Sequence, residues 1–224
     1  MSGGKNCVTT SWCQQGECYN QASIGKPAPY FECGSYYQND IKKVKLTDYS
    51  GKWVVLFFYP KDFTFVCPTE ILAFSDANKD FRNLGVELLG ASCDNEHVHF
   101  AWCSKPRNQG GLGIDLDVPL LSDTTKCMGI LYGSLFLDGP NAGVSNRATF
   151  IIDPQGILRH MSYSDLPIGR NPDEVLRLVE ALQFADKHGE VCPAKWKKGD
   201  KTMEPKIHSQ KTKEYFETEA DKKD

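Results

Sequence analysis

Residues 53–59 read Trp-Val-Val-Leu-Phe-Phe-Tyr, an apolar run of β-formers with no alternation. A strand of that kind is buried on both faces, as in the middle of a sheet with helices on either side. Residues 86–92 are a second buried strand and 147–153 a third, while 42–46 alternate and 119–123 form a short strand. Asp153-Pro-Gln-Gly156 is a tight turn that returns the chain as a hairpin strand over 157–162. Turns are expected at 47–51 and at Gly110-Gly-Leu-Gly113. Helices are expected from Cys67 through Ile71, Leu72 and Phe74 to about Asn83, from Asn95 to about Ser104, and over 124–131. A last helix starts at Asn171-Pro-Asp-Glu174, carries the stripe Val175, Leu176, Leu178, Val179 and Leu182, and ends at Gly189. Strands alternating with helices, then a closing hairpin, predict an α/β fold: a central mixed β-sheet flanked by helices. There is no internal repeat and no second core.

After Gly189 the composition turns lysine-rich and apolar-poor, so 189–224 reads as an extended C-terminal arm. Its candidate anchors are Cys192, Trp196 and the adjacent pair Tyr215-Phe216. Residues 1–22 are polar and hold Cys7, Cys13 and Cys18. They form either a solvated tail or a metal-binding or auxiliary redox arm, with spacings that match no common zinc pattern. The domain proper is then 23–188.

A net charge of −3 argues against a nucleic-acid binder. No apolar run approaches the about 20 residues of a membrane span, and the N-terminus lacks the apolar core of a signal peptide. A soluble cytoplasmic protein is expected. Nine cysteines are many for such a chain. No two form a C-x-x-C pair, and their scatter is unlike a secreted disulfide framework. Most should be reduced thiols, and any that react must find a partner distant in sequence.

Cys67 stands out by its place. Pro60 ends the central strand, Thr64 is a candidate N-cap, and Cys67 follows in the first helical turn, where Pro68 is also tolerated. The partial positive charge of a helix N-terminus favours the thiolate, which is the nucleophile. The residues alone leave open whether Cys67 reacts or is a buried, inert thiol.

Pro60-x-x-x-Thr64-x-x-Cys67 followed by Pro-Thr-Glu70 resembles the peroxiredoxin motif, and Gly189-Glu-Val-Cys192-Pro resembles the resolving-cysteine motif of the typical two-cysteine class. The resemblance runs from Ile24 to Phe216. It includes Gly110-Gly-Leu-Gly113, Asn-Arg147-Ala-Thr-Phe, Asp165-Leu-Pro-Ile-Gly-Arg170 and Tyr215-Phe216. It implies a thioredoxin-like fold and a thiol peroxidase without metal or organic cofactor. Its substrates would be hydrogen peroxide and organic hydroperoxides, and its recycling partner a thioredoxin-like dithiol.

By the same resemblance Cys67 becomes a sulfenic acid and Cys192, on the arm of a neighbouring subunit, condenses with it in an antiparallel homodimer, with five dimers forming a decamer. Thr64 hydrogen-bonds thiolate and peroxide, Arg147 stabilises the thiolate and holds the peroxide oxygens, and Pro60 shields the sulfur. Glu70 and Arg170 orient Arg147. The glycine turn and the Tyr-Phe pair mark sensitivity to overoxidation, through a tail packed over the active-site helix. Resolution by Cys93, Cys103 or Cys127 is the competing reading. The alternative function is a redox-controlled oligomeric holdase or peroxide-signalling partner.

Overall fold

The computed structural model describes residues 21–220. Its strands are β1 (Glu32–Tyr37), β2 (Asp40–Lys45), β3 (Trp53–Phe58), β4 (Val86–Ser92), β5 (Leu120–Ser122), β6 (Arg147–Ile152) and β7 (Leu158–Ser164). Its helices are α1 (Cys67–Asp76), α2 (Asn78–Asn83), α3 (Glu96–Ser104), α4 (Cys127–Leu131), α5 (Pro172–His188) and α6 (Gln210–Ala220). The strands form one sheet in the order β2-β1-β5-β4-β3-β6-β7. The pairs β3–β4 and β4–β5 are parallel and the others antiparallel, so the sheet is mixed.

The unbroken apolar run becomes β3 because both of its faces are covered. Val55, Phe57 and Tyr59 pack with Cys67, Ile71, Phe74 and Phe81 from α1 and α2, and with Val175 and Val179 from α5. Val54, Leu56 and Phe58 point the other way, to Met128, Tyr132, Phe150 and Leu158. The period-two alternation of a strand is present in β3, but both faces are apolar and conceal it. The same parity sorts β6. Ile151 joins the Cys67 side of the core, whereas Ala148 and Phe150 join the other. Arg147 and Thr149 are in phase with Ile151, so their side chains project to the face that carries α1.

Three local expectations change. Residues 32–37 (Glu-Cys-Gly-Ser-Tyr-Tyr) are β1, although the sequence shows no apolar alternation there. Pairing with β2 on one side and β5 on the other makes the strand. The single helix expected from Cys67 to Asn83 is two, parted at Ala77. Beside the break, Asn78 donates its side-chain amide to the carbonyl of Asp117, and Ser75 Oγ accepts from the Asp117 N–H at 2.9 Å. Thr64 does not cap α1. Val66 is the N-cap, in helical conformation and without a side-chain cap bond, while the Thr64 hydroxyl donates to the Lys61 carbonyl at 3.0 Å.

Elsewhere the termini follow the sequence. Asn95 caps α3, accepting from the N–H groups of His97 and Val98 at 3.0 Å each. Asn171 caps α5, which ends at Gly189 with φ 66°. At Gly111 a Cβ would lie 1.9 Å from the Lys105 carbonyl oxygen, so the glycine turn closes onto the end of α3 only without a side chain. Ala22 already belongs to the folded unit, its N–H donating to Leu131 at 2.9 Å.

Beyond Gly189 the arm is ordered against α5. Trp196 is 2 % exposed, its ring 5.2 Å from that of Phe184, and Arg177 donates to its carbonyl at 3.3 Å. Phe216 on α6 is 60 % exposed. The hydrogen bonds of α6 run to the arm, with Thr212 Oγ1 donating to the Glu204 carbonyl at 2.8 Å and Lys201 Nζ to Thr218 Oγ1 at 3.0 Å.

Candidate active site

Cys67 is the first residue of α1 and fully buried. It stands at the N-terminus of a helix packed on the sheet, where backbone N–H groups lack intrahelical partners. From β6, Arg147 reaches it: Nη1 donates to Cys67 Sγ at 3.5 Å. The same nitrogen donates to Glu70 Oε2, and Nε donates to the Leu166 carbonyl at 2.7 Å. The guanidinium is therefore gripped from two directions before any substrate arrives.

Glu70, one turn along α1, is gripped in turn by Arg170. Its Oε1 accepts from Arg170 N at 2.9 Å and Nε at 2.8 Å, and its Oε2 from Nη2 at 3.2 Å. Arg170 Nη1 also donates to the Ala148 carbonyl at 2.7 Å, and the guanidinium lies 5.5 Å from the Phe57 ring centroid. The side chains of Arg147, Glu70 and Arg170 are 4 %, 1 % and 7 % exposed. Two guanidiniums against one carboxylate leave one positive charge unbalanced in a buried place. A buried charge without a partner is costly, and an anion at Cys67 Sγ completes the balance.

The other described thiols have no such setting. Burial pushes Cys33 and Cys103 up to about 12 and raises Cys93 and Cys192. Of the residues singled out from sequence, Cys67, Glu70, Arg147 and Arg170 meet in one cluster. Pro60 is buried at the start of the loop into α1, and Thr64 lies half-buried on that loop. Cys192 is elsewhere. It is half-buried on the arm, with Sγ 3.6 Å from the Ala181 carbonyl of α5, and both it and Cys67 are free thiols. Cys7, Cys13 and Cys18 lie outside the described residues.

Two contributions were not visible in the sequence. The Leu166 carbonyl is a backbone group, and nothing in its side chain signals the contact with Arg147. The loop before Cys67 is pinned by Asp62, whose Oδ2 is 2.7 Å from His99 Nδ1 and whose Oδ1 accepts from Tyr59 OH at 2.9 Å. His99 Nε2 lies 3.3 Å from the Leu121 carbonyl, so both ring nitrogens face acceptors. Asp62 stands inside the recognised motif, but only the fold shows that its partner is 37 residues away on α3.

The AhpC/TSA family matches residues 24–161, and the C-terminal domain of 1-Cys peroxiredoxin matches 181–218. The second match contains Cys192. Peroxiredoxin-2 of Rattus norvegicus is 54% identical over 195 residues, 87% of this chain and 96% of that protein. Peroxiredoxin-1 of Gallus gallus is 52% identical over 197 residues, 88% of this chain and 96% of its own length. Among solved structures, reduced 2-Cys peroxiredoxin of Plasmodium vivax superposes with a TM-score of 0.78 at 44% identity, covering 82% of this chain and 93% of that one. AhpC of Enterococcus faecalis gives 0.70 at 34% identity, covering 77% and 100%. The seven-stranded mixed sheet with its flanking helices is thus a thioredoxin-like α/β arrangement.

Proposed function

This chain belongs to the peroxiredoxins, in the AhpC/TSA family, and from that premise we propose that Cys67 is its peroxidatic cysteine and Cys192 its resolving cysteine. The protein is a thiol-dependent peroxidase, an oxidoreductase. Its relatives favour that activity over the holdase or signalling reading. The observation that carries the assignment of Cys67 is the buried Arg147–Glu70–Arg170 cluster, whose net positive charge is aimed through Arg147 Nη1 at the sulfur.

The Cys67 thiolate attacks one oxygen of the hydroperoxide. An S–O bond forms as the O–O bond breaks, and the leaving oxygen takes a proton and departs as water or alcohol. Negative charge moves from sulfur to the leaving oxygen, so donors fixed beforehand along that path lower the barrier. Arg147 is such a donor, with a rigid fork held by Leu166 and Glu70. Glu70 and Arg170 act through Arg147 by holding it. Thr64, on the rim of the same loop, is proposed to bond thiolate and peroxide once its hydroxyl leaves the Lys61 carbonyl. Pro60 is proposed to keep water from the sulfur.

Attack leaves a sulfenic acid, the reversible first rung of cysteine oxidation. Cys67 is fully buried and Cys192 is half-buried against α5, so each must leave its place before the two sulfurs can meet across subunits. A disulfide needs Cα atoms within about 7 Å. We propose that the arm 189–224 of one subunit serves the domain 23–188 of another in a homodimer, with five dimers in a decamer, and that a thioredoxin-like dithiol reduces the product. Among the described residues no helix is long and apolar enough to cross a membrane. The six cysteines among the described residues are free thiols, which suits a reducing compartment, and we place the protein in the cytoplasm.

Peroxide consumption with a dithiol reductant tests the assignment. Wild type should turn over, and Cys67→Ser should show none. Turnover by Cys67→Ser would move the chemistry to another thiol.

A further inference from the structure

Gly189 ends α5 in the left-handed conformation, and the next residue, Glu190, starts the arm. Two residues on is Cys192. Backbone bonds between Val191 and Met203, at 2.8 Å and 3.2 Å, close the intervening segment into a loop that contains both Cys192 and Trp196. Glu190 Oε2 accepts from Thr202 Oγ1 on the returning limb of that loop and from Lys211 Nζ in the first turn of α6, the latter at 2.5 Å. One carboxylate thus fastens three things together: the segment carrying Cys192, the return of its own loop, and the C-terminal helix.

We propose that Glu190 is a positioning residue for the resolving step. Its bond to Lys211 latches α6 to the Cys192 segment and keeps that cysteine in its waiting place against α5 until the latch opens. The inference rests on the assignment of Cys192 as resolving cysteine. In that step the Cys192 sulfur, as thiolate, attacks the Cys67 sulfur. The S–S bond forms, the S–O bond of the sulfenic acid breaks, and hydroxide leaves to take up the proton that Cys192 gave away. The oxidising equivalents come from the peroxide already consumed.

The latch bears on this step in two ways. It holds the arm, which must detach before Cys192 can travel. It also sets a negative charge two residues from the thiol. Burial raises Cys192 first and Glu190 adds to it, whereas Arg177 on α5 opposes. Lys211 is the cation bonded to Glu190, with His188 nearby, and hydrogen bonding from Lys211 keeps that carboxyl below its ordinary range. The waiting thiol is thereby kept protonated and fixed. Both effects delay resolution and give a second peroxide time to reach the sulfenic acid, carrying Cys67 to the sulfinic rung.

The test uses full-length protein, wild type beside Glu190→Gln, Lys211→Gln and the swap Glu190→Lys/Lys211→Glu. Disulfide formation after one equivalent of hydrogen peroxide is followed by stopped-flow tryptophan fluorescence. The sulfinic fraction at excess peroxide is read by intact mass. Each single variant should resolve about threefold faster, the size an exposed ion pair allows, and accumulate less sulfinic acid. The swap should bring the rate back toward wild type above the pH midpoint of resolution, where the thiol is ionised and the sign of the neighbouring charge no longer sets its protonation. Glu190→Gln should also move the pH midpoint of resolution downward, whereas Lys211→Gln should not. Unchanged or slower resolution in both single variants, or a swap that restores nothing, overturns the latch. Sulfenic acid at Cys67 with no Cys67–Cys192 disulfide in wild type overturns the resolving assignment and the latch with it. A normal wild-type disulfide with unaltered variant rates overturns the latch alone.

Discussion

Replacing Arg147 by Met should slow oxidation of Cys67 by about a thousandfold while leaving the protein folded. The side chains are near-isosteric along the stem, so the change is chiefly the loss of the guanidinium. Its Nη1 stands 3.5 Å from Sγ in a site 4 % exposed. At an effective dielectric of about 20, a unit charge at that range is worth roughly 4 kcal/mol to an anionic sulfur and its transition state. At about 1.4 kcal/mol per decade that is on the order of 10³ in rate, the scale on which removal of one preorganised donor acts in other enzymes. The fold should survive because Glu70 keeps three contacts from Arg170 and is not orphaned. Taking Arg170 away as well would leave a buried carboxylate alone, and such losses cost about 3–5 kcal/mol. The assay is the second-order rate of sulfenic acid formation, by stopped-flow competition for peroxide, repeated up to a pH where the variant's thiol is ionised. A deficit that persists there shows that Arg147 acts on the transition state. A rate within threefold of wild type would show that Arg147 does not stabilise the attack.

Other outcomes follow from the same structure. Asp123 is buried and accepts the N–H groups of Met128 and Gly129, and burial lifts its pKa from 3.8 to about 6. A carboxyl raised on folding favours the folded state below its ordinary pKa and loses that advantage as pH rises through the folded value. Between about pH 4 and 6, wild type should therefore lose roughly 3 kcal/mol relative to Asp123→Asn, read by urea denaturation; parallel curves for the two would contradict it. Gly111→Ala forces a Cβ onto the Lys105 carbonyl and should destabilise by about 1–3 kcal/mol or more; an unchanged denaturation midpoint would show that the turn is looser than described. Removing the residues after Pro205 takes away α6 and should make the peroxidase survive higher peroxide, with unchanged inactivation as the contrary result.

The parts legible in the sequence were those where side-chain chemistry and local pattern agree. The run 53–59 announces a strand covered on both faces. Asn171-Pro172 and Gly189 bracket α5 because caps are local. The candidate cluster was legible only through the resemblance. Nothing about Arg147 as a residue distinguishes it from Arg159, which pairs with Asp153 and Asp186 near the surface. Once β6 is in register its parity decides, since Arg147 shares the Ile151 face. What stayed hidden depends on contacts distant along the chain. β1 is a strand because two neighbours pair with it. The break at Ala77 sits beside contacts from the loop before β5, and the Leu166 carbonyl grips Arg147 without any mark in the sequence. Thr64 looked like a cap by spacing, but it lies two residues before Val66, where α1 is actually capped, and its hydroxyl donates to the Lys61 carbonyl.

In the proposed cycle, peroxide oxidises Cys67, and Cys192 of another chain then joins it in a disulfide. Non-reducing electrophoresis after one equivalent of hydrogen peroxide tests it, on wild type, Cys67→Ser and Cys192→Ser. Wild type should give a disulfide-linked dimer that both variants lose. A dimer that persists in Cys192→Ser and still depends on Cys67 would contradict it and assign resolution to another cysteine.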